Sequence, residues 1–131
     1  MSYITNIFSD TNENGYFRKV LFTGQKSQLV VMNLAPGEVI DKEKHEHVEQ
    51  LIFLLKGECL AILGDTEIQM RDGDVVVVSP NTWHEIKNNG DAHALIYTVY
   101  TPPNHIDGRV HKTKDDAEKD IEDEEFGERA A

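Results

Sequence analysis

Cysteine is almost missing from this chain. Cys59 stands alone, so no internal disulfide can staple the fold and a reducing compartment, the cytoplasm, is the expected setting. In a strand-like run, Cys59 reads as a small buried hydrophobe. Long apolar runs are missing too; none nears the roughly 18 residues a membrane-spanning helix needs. The opening MSYITNIFSD has neither the basic head nor the apolar stretch of a secretory leader, so none is expected. Positive charge is scarce. Thirteen Lys and Arg against 24 Asp and Glu give a formal net charge of −11, which argues against a nucleic-acid backbone or an anionic membrane as partner. No Gly-rich phosphate loop is visible, and helix signals are weak before residue 113.

Short strands are plentiful. With 131 residues, 39% of them hydrophobic and 28% charged, the chain can build one domain with one core. Eight or nine strand-like segments follow one another at the spacing of an antiparallel sandwich or barrel. Thr23-Gly24, Pro36-Gly37, Lys56-Gly57, Gly64-Asp65, Asp72-Gly73, Pro80-Asn81, Asn89-Gly90 and Pro102-Pro103 punctuate them. Gly64-Asp65 signals a two-residue hairpin and Asn89-Gly90 a type I′ turn. The Val75–Val78 run is β-branched on both faces, so burial on both is expected. A domain this small cannot cover both sheets alone, and a homodimer is the expected state. From Thr113 the composition turns acidic; residues 112–131 carry −5 of the total charge. The reading is a barrel over residues 1–111, then an acidic helix or tail over 112–131, partly disordered and dispensable for the barrel.

The densest chemistry lies in EKHEHVEQ, Glu43 to Gln50. Side chains at alternate strand positions share a face, so Glu43, His45 and His47 can aim at one point. Gln50 has the opposite parity and joins them only if the chain bulges or turns. Imidazole and carboxylate together suit one divalent transition metal: Mn, Fe, Co, Ni or Zn. A second cluster, GDVVVVSPNTWHEIKN, places His84 at a strand start.

These two clusters resemble the motifs of the cupin superfamily over roughly residues 37–100. The first motif is commonly written G-x5-H-x-H-x3,4-E-x6-G. Gly37, Glu43, His45, Gln50 and Gly57 fit every spacing, with Glu43 in the first His slot and Gln50 in the Glu slot. Pairing His45 with His47 instead breaks the spacing twice. The second motif, G-x5-P-x-G-x2-H-x3-N, is met by Gly73, His84 and Asn88, with Ser79 in the Pro slot and Asn81 in the Gly slot. Asn tolerates φ > 0 better than most residues. The TPPNHIDGRVHKTKDDA tail is similar to that of a group of small single-domain cupins with a loose sugar-phosphate-isomerase-like label.

The resemblance implies an all-β fold, a double-stranded β-helix or jelly-roll barrel. It implies Glu43, His45, Gln50 and His84 as ligands of one divalent metal. His47 and Glu49 are the candidates to move a proton. Ile52, Leu54, Ile86 and Asn88 share parity with the ligands and are expected to line the cavity, Asn88 as its hydrogen-bonding group. The expected partner is a small molecule. The leading activity is a sugar or sugar-phosphate isomerisation; an Fe(II)-dependent dioxygenase and a non-enzymatic binding or sensing protein are the alternatives.

Overall fold

Turn residues and alternation divide the chain into ten strands and three helices, described by a computed structural model over residues 1–130. They run α1 (Ile7–Glu13), β1 (Arg18–Thr23), β2 (Gln28–Leu34), β3 (Val39–Glu43), β4 (Glu49–Lys56), β5 (Cys59–Leu63), β6 (Thr66–Met70), β7 (Val75–Val78), β8 (His84–Lys87), β9 (Ala94–Thr101), β10 (Val110–His111), α2 (Lys114–Lys119) and α3 (Ile121–Ala130). One sheet has the order β10-β1-β2-β9-β4-β7, the other β3-β8-β5-β6. Neighbouring strands pair antiparallel. Two such sheets closed on one core make the expected jelly-roll barrel.

Alternation decides what the core contains. The inward positions of β4 are Gln50, Ile52 and Leu54; those of β9 are Ala94, Ile96, Thr98 and Tyr100; those of β8 are His84 and Ile86. Each set is apolar at one end and polar at the other. The apolar ends join Val30, Met32 and Leu34 in one cluster, each large side chain contributing roughly 1.5–3 kcal/mol on burial. The polar ends gather at the same mouth of the barrel. Cys59 is buried in that core and its thiol is pushed up to about 11 by desolvation, which keeps it an inert packing group.

Two turns carry strain that the residue type relieves. Asn81, in the slot where the motif has Gly, sits at φ 65°. Gly57, at φ 116°, lies where a Cβ would come within 3.0 Å of the Ala94 Cα; side chains there meet backbone that cannot retreat.

Four local expectations are corrected. Residues Ile7–Glu13 form a helix capped by the Asn6 side chain. Asn89-Gly90 does not close a two-residue hairpin, because β8 and β9 belong to different sheets and the segment is a crossover. The Asn88 amide braces that crossover, donating to the Leu34 and Ala92 carbonyls and accepting from the Gly90 N–H. Within one chain Val75–Val78 is buried on one face only. β7 is an edge strand, and Val75 and Val77 are 49% and 52% exposed.

The tail is helical as expected; the fourth correction is that it forms two helices docked on the barrel rather than a loose end. Thr113 and Asp116 form a reciprocal capping box that starts α2. Arg109 donates to both oxygens of Asp120, and His111 reaches the same carboxylate at 2.8 Å. Asp123 of α3 is buried against His105, and a Cβ on Gly127 would lie 3.0 Å from the Asn104 carbonyl oxygen. Charge density alone suggests repulsion, yet specific ion pairs absorb it.

Candidate metal centre

A bulge positions the carboxylate. β3 pairs with β8 in the register Ile40 to Ile86 and Glu43 to His84, so β3 carries one more residue than β8 over that interval. Both Ile40 and Glu43 therefore turn inward. The chain then leaves the strand, and His45 lies in the connection to β4. The Asn81 N–H donates to the His45 carbonyl at 2.6 Å and holds that connection in place. Glu43 Oε1 ends 3.3 Å from His45 Nε2 and 3.5 Å from His84 Nε2. Ligand atoms of all three residues lie within 4.8 Å of one another.

Second contacts fix which atoms point inward. His84 Nδ1 is 3.0 Å from the Thr82 carbonyl. A carbonyl accepts, so Nδ1 carries the proton and Nε2 offers a lone pair to the centre. Gln50 is held the same way. The Thr98 hydroxyl donates to the Leu51 carbonyl at 2.8 Å and accepts from Gln50 Nε2 at 3.0 Å. The amide nitrogen is thereby committed and Oε1 is left free.

Among the described residues three buried polar atoms then lack a well-formed hydrogen bond: His45 Nε2 and His84 Nε2, which only approach Glu43 Oε1 at 3.3 and 3.5 Å, and Gln50 Oε1. Leaving such atoms unsatisfied costs about 1–3 kcal/mol each, unless something else binds them. Two imidazole nitrogens, an amide oxygen and a carboxylate are the donor set of a divalent transition metal, so these residues fit one. Without a metal, burial pushes the Glu43 carboxyl up, but hydrogen bonds and charge from the His45 and His84 imidazoles, which then carry the Nε2 protons a metal would displace, outweigh that and hold it well below the carboxylate range. Burial pulls His84 down, while Glu43 and the Thr82 carbonyl raise it above its ordinary value. The centre is one anion shared between two imidazoles.

Glu43, His45, Gln50 and His84 are thus placed at the mouth of the barrel. His47 and Glu49 are not. The His47 side chain is 78% exposed and nearest Glu46, and Glu49 faces solvent from β4. Their expected part in proton transfer is corrected: strand parity ends with β3 and the connection turns His47 outward, while alternation with the inward Gln50 turns Glu49 outward. Ile52, Leu54 and Ile86 belong to the packed core below the centre, and Asn88 is spent on the crossover; none of the four lines the open cavity. Trp83 lies outside, with Lys42 and Lys44 over its ring at 5.5 and 5.1 Å.

The cavity itself measures about 540 Å³ and is built largely from residues that motif spacing passes over. Glu43 and His45 form one wall. Arg18, Asn104, His105 and Asp123 form another, and α2 and α3 close the side. His105 Nδ1 is 2.7 Å from Asp123 Oδ2, and its Nε2 is 3.2 Å from the buried Tyr100 hydroxyl. Asp123 Oδ1 accepts from the Ile106 N–H. Burial and the Arg18 charge pull His105 below its ordinary value despite Asp123, so it is a neutral imidazole donating from Nδ1. Nothing in the sequence spacing says that His105 folds back onto this wall.

A family model for the Cupin domain matches residues 30–100. YrkC, an uncharacterized protein of Bacillus subtilis, is 35% identical over 121 residues, covering 88% of this chain and 65% of that protein. This chain therefore spans less than two thirds of YrkC. The uncharacterized protein L612 of Acanthamoeba polyphaga mimivirus is 36% identical over 112 residues, covering 82% of this chain and 70% of its own. The crystal structure of BH2720 from Bacillus halodurans matches with a TM-score of 0.88 at 31% identity, covering 90% of this chain and 94% of that one.

Proposed function

This chain belongs to the cupin family, and on that premise we propose that it holds one divalent transition metal on Glu43, His45, His84 and Gln50 and acts on a small polar molecule in the adjoining cavity. The carrying observation is the convergence of the Glu43 carboxylate and the His45 and His84 imidazoles, whose ligand atoms lie within 4.8 Å of one another, with the buried Gln50 Oε1 also lacking a hydrogen bond among the described residues. The metal would polarise a carbonyl or hydroxyl oxygen as a Lewis acid. Glu43 supplies the negative charge of the set, Thr82 and Thr98 hold His84 and Gln50 in their binding orientations, and the cavity walls position the substrate. Charged and amide groups on those walls suit a hydroxylated substrate, and isomerisation of a sugar or sugar phosphate is the leading activity. Two imidazoles with one carboxylate are also the set used by Fe(II) oxygenases, which makes a dioxygenase the second reading. The acidic body and the lone buried Cys59 support a cytoplasmic protein acting on small molecules.

Metal titration separates Glu43 from His47. Glu43→Ala is expected to weaken binding at least tenfold, about 1.4 kcal/mol, and His47→Ala to change it by less than twofold. Loss of metal in His47→Ala with retention in Glu43→Ala would sink the assignment. Turnover is then measured on sugars and sugar phosphates, and oxygen uptake with Fe(II) on keto acids. A metal-loaded protein silent in both would be a binding or sensing cupin.

Homodimerisation is proposed through the outer face of the larger sheet. Val75 and Val77 stand exposed there, beside the half-buried Leu51, Phe53, Tyr97 and Val99. Sedimentation at micromolar concentration is expected to give twice the 14.9 kDa chain mass; a clean monomer would refute it.

A further inference from the structure

Arg18 opens β1 and lines the cavity with Glu43 and His45. Its guanidinium rests over the Phe17 ring at 5.2 Å. Its Nη1 lies 3.4 Å from His111 Nδ1. His111 donates from Nε2 to Asp120, so Nδ1 accepts and the guanidinium donates. Arg18 Nε is buried and has no partner.

The neighbouring carboxylates are committed elsewhere. Asp120 is held by Arg109 and His111, Asp123 by His105, and Asp41 and Glu118 by Lys114. The other cations of the cavity are engaged as well: Lys114 in those pairs, Lys42 and Lys44 over Trp83. In a chain of net charge −11, Arg18 is thus, among the described residues, a cavity cation without a carboxylate partner. A second observation lies on the same wall. Asn104 is 6% exposed, and its Oδ1 has no partner among the described residues. Its backbone N–H and that of His105 are fixed by the Gln28 amide oxygen.

We propose that this wall is a substrate subsite in which Arg18 binds a carboxylate and Asn104 accepts from a hydroxyl, so that the ligand is a polyhydroxylated monocarboxylate. A guanidinium pairs with a carboxylate through charge-assisted, geometrically matched bonds, and the unpartnered Nε supplies one of them. The unpartnered amide oxygen requires a donor, which a hydroxyl provides. Charge favours a carboxylate over a phosphate, because Glu118, Asp123, Glu124 and Glu128 share the cavity and repel a dianion more than a monoanion. This proposal rests on the reading above that the cavity beside the metal centre is the ligand site, and it makes the substrate acidic.

The test uses three matched probes: D-gluconate, neutral D-glucose and D-glucose 6-phosphate. Calorimetry on the full chain, metal-loaded and metal-free, is expected to show gluconate at least tenfold tighter than glucose and tighter than the phosphate. Arg18→Gln should abolish the gluconate preference while metal content stays unchanged. Arg18→Lys, which keeps the charge, should retain part of it and covers the case in which Arg18→Gln fails to fold. Equal binding of gluconate and glucose, a preference that survives Arg18→Gln, or tighter binding of the phosphate would each overturn the proposal. A protein that takes up no metal yet shows the Arg18-dependent preference would defeat the metal reading alone. A metal-loaded protein without the preference would defeat this subsite alone.

Discussion

His84→Ala is expected to remain folded and to lose at least 99% of its metal affinity, a hundredfold change of about 2.7 kcal/mol. The residue supplies one of only two imidazoles, and its backing contact to the Thr82 carbonyl at 3.0 Å presents Nε2 ready to bind. Its replacement leaves Glu43, His45 and the weak amide donor of Gln50. The fold does not depend on it in the same way. His84 Nε2 makes no well-formed hydrogen bond and only approaches Glu43 Oε1 at 3.5 Å, so removing the ring removes a poorly satisfied group as well as buried volume, and the two effects oppose. The metal-free variant should therefore melt within about 5 °C of the metal-free parent, a difference of roughly 1 kcal/mol. The large difference appears on adding metal, which stabilises the native state by mass action. Metal should raise the parent's melting temperature and leave the variant's unchanged. Elemental analysis showing full occupancy in His84→Ala would remove His84 from the centre.

That asymmetry between site and scaffold also explains what was legible in the sequence. Glu43, His45, Gln50 and His84 came from the resemblance to the cupin motifs, and the structure brings Glu43, His45 and His84 together. The bulge that turns Glu43 inward beside His84 is local, and parity with one irregularity is enough to describe it. His47 shows where parity stops: the strand ends at Glu43, and beyond it a period of two has no meaning. Ile52, Leu54 and Ile86 were correctly turned inward, but an inward residue far from the mouth meets core. Asn88 had the right parity and another task. Arg18, Thr98, His105 and Asp123 carried no local signal at all. They reach the mouth from β1, β9, the segment after it and α3, and tertiary closure alone brings them together. The acidic helices of the tail were expected from composition, but their docking was not, because composition counts charges without pairing them.

Removal of residues 112–131 is expected to lower the melting temperature by more than about 5 °C, over roughly 1 kcal/mol. The expectation follows from what the helices satisfy. Asp123 accepts from His105 Nδ1 at 2.7 Å and from the Ile106 N–H at 2.7 Å, and leaving a buried donor without its acceptor typically costs about 1–3 kcal/mol. Asp120 holds Arg109 and His111, so truncation strips the buried His111 of its acceptor too. Asp123→Ala alone should produce a large part of the loss. The pH dependence carries a sign that a nonspecific effect lacks. His105 is pulled below its ordinary value of 6.5 by burial and by Arg18. The unfolded chain therefore takes up that proton at higher pH than the native state does. The contribution is fully present above about pH 6.5 and is lost as the pH falls through the depressed native value. Asp123 is held below its ordinary 3.8 by His105 and the Ile106 N–H, against the upward push of burial, so its own contribution goes only in stronger acid. Truncation exposes His105 and restores its ordinary titration. The difference in melting temperature between full-length and truncated chains should accordingly narrow as the pH is lowered from 7.5 to 5.5. A gap constant over that range would mean that His105 is not buried by the tail, and a truncated chain as stable as the parent would mean that the helices close the cavity without supporting the barrel.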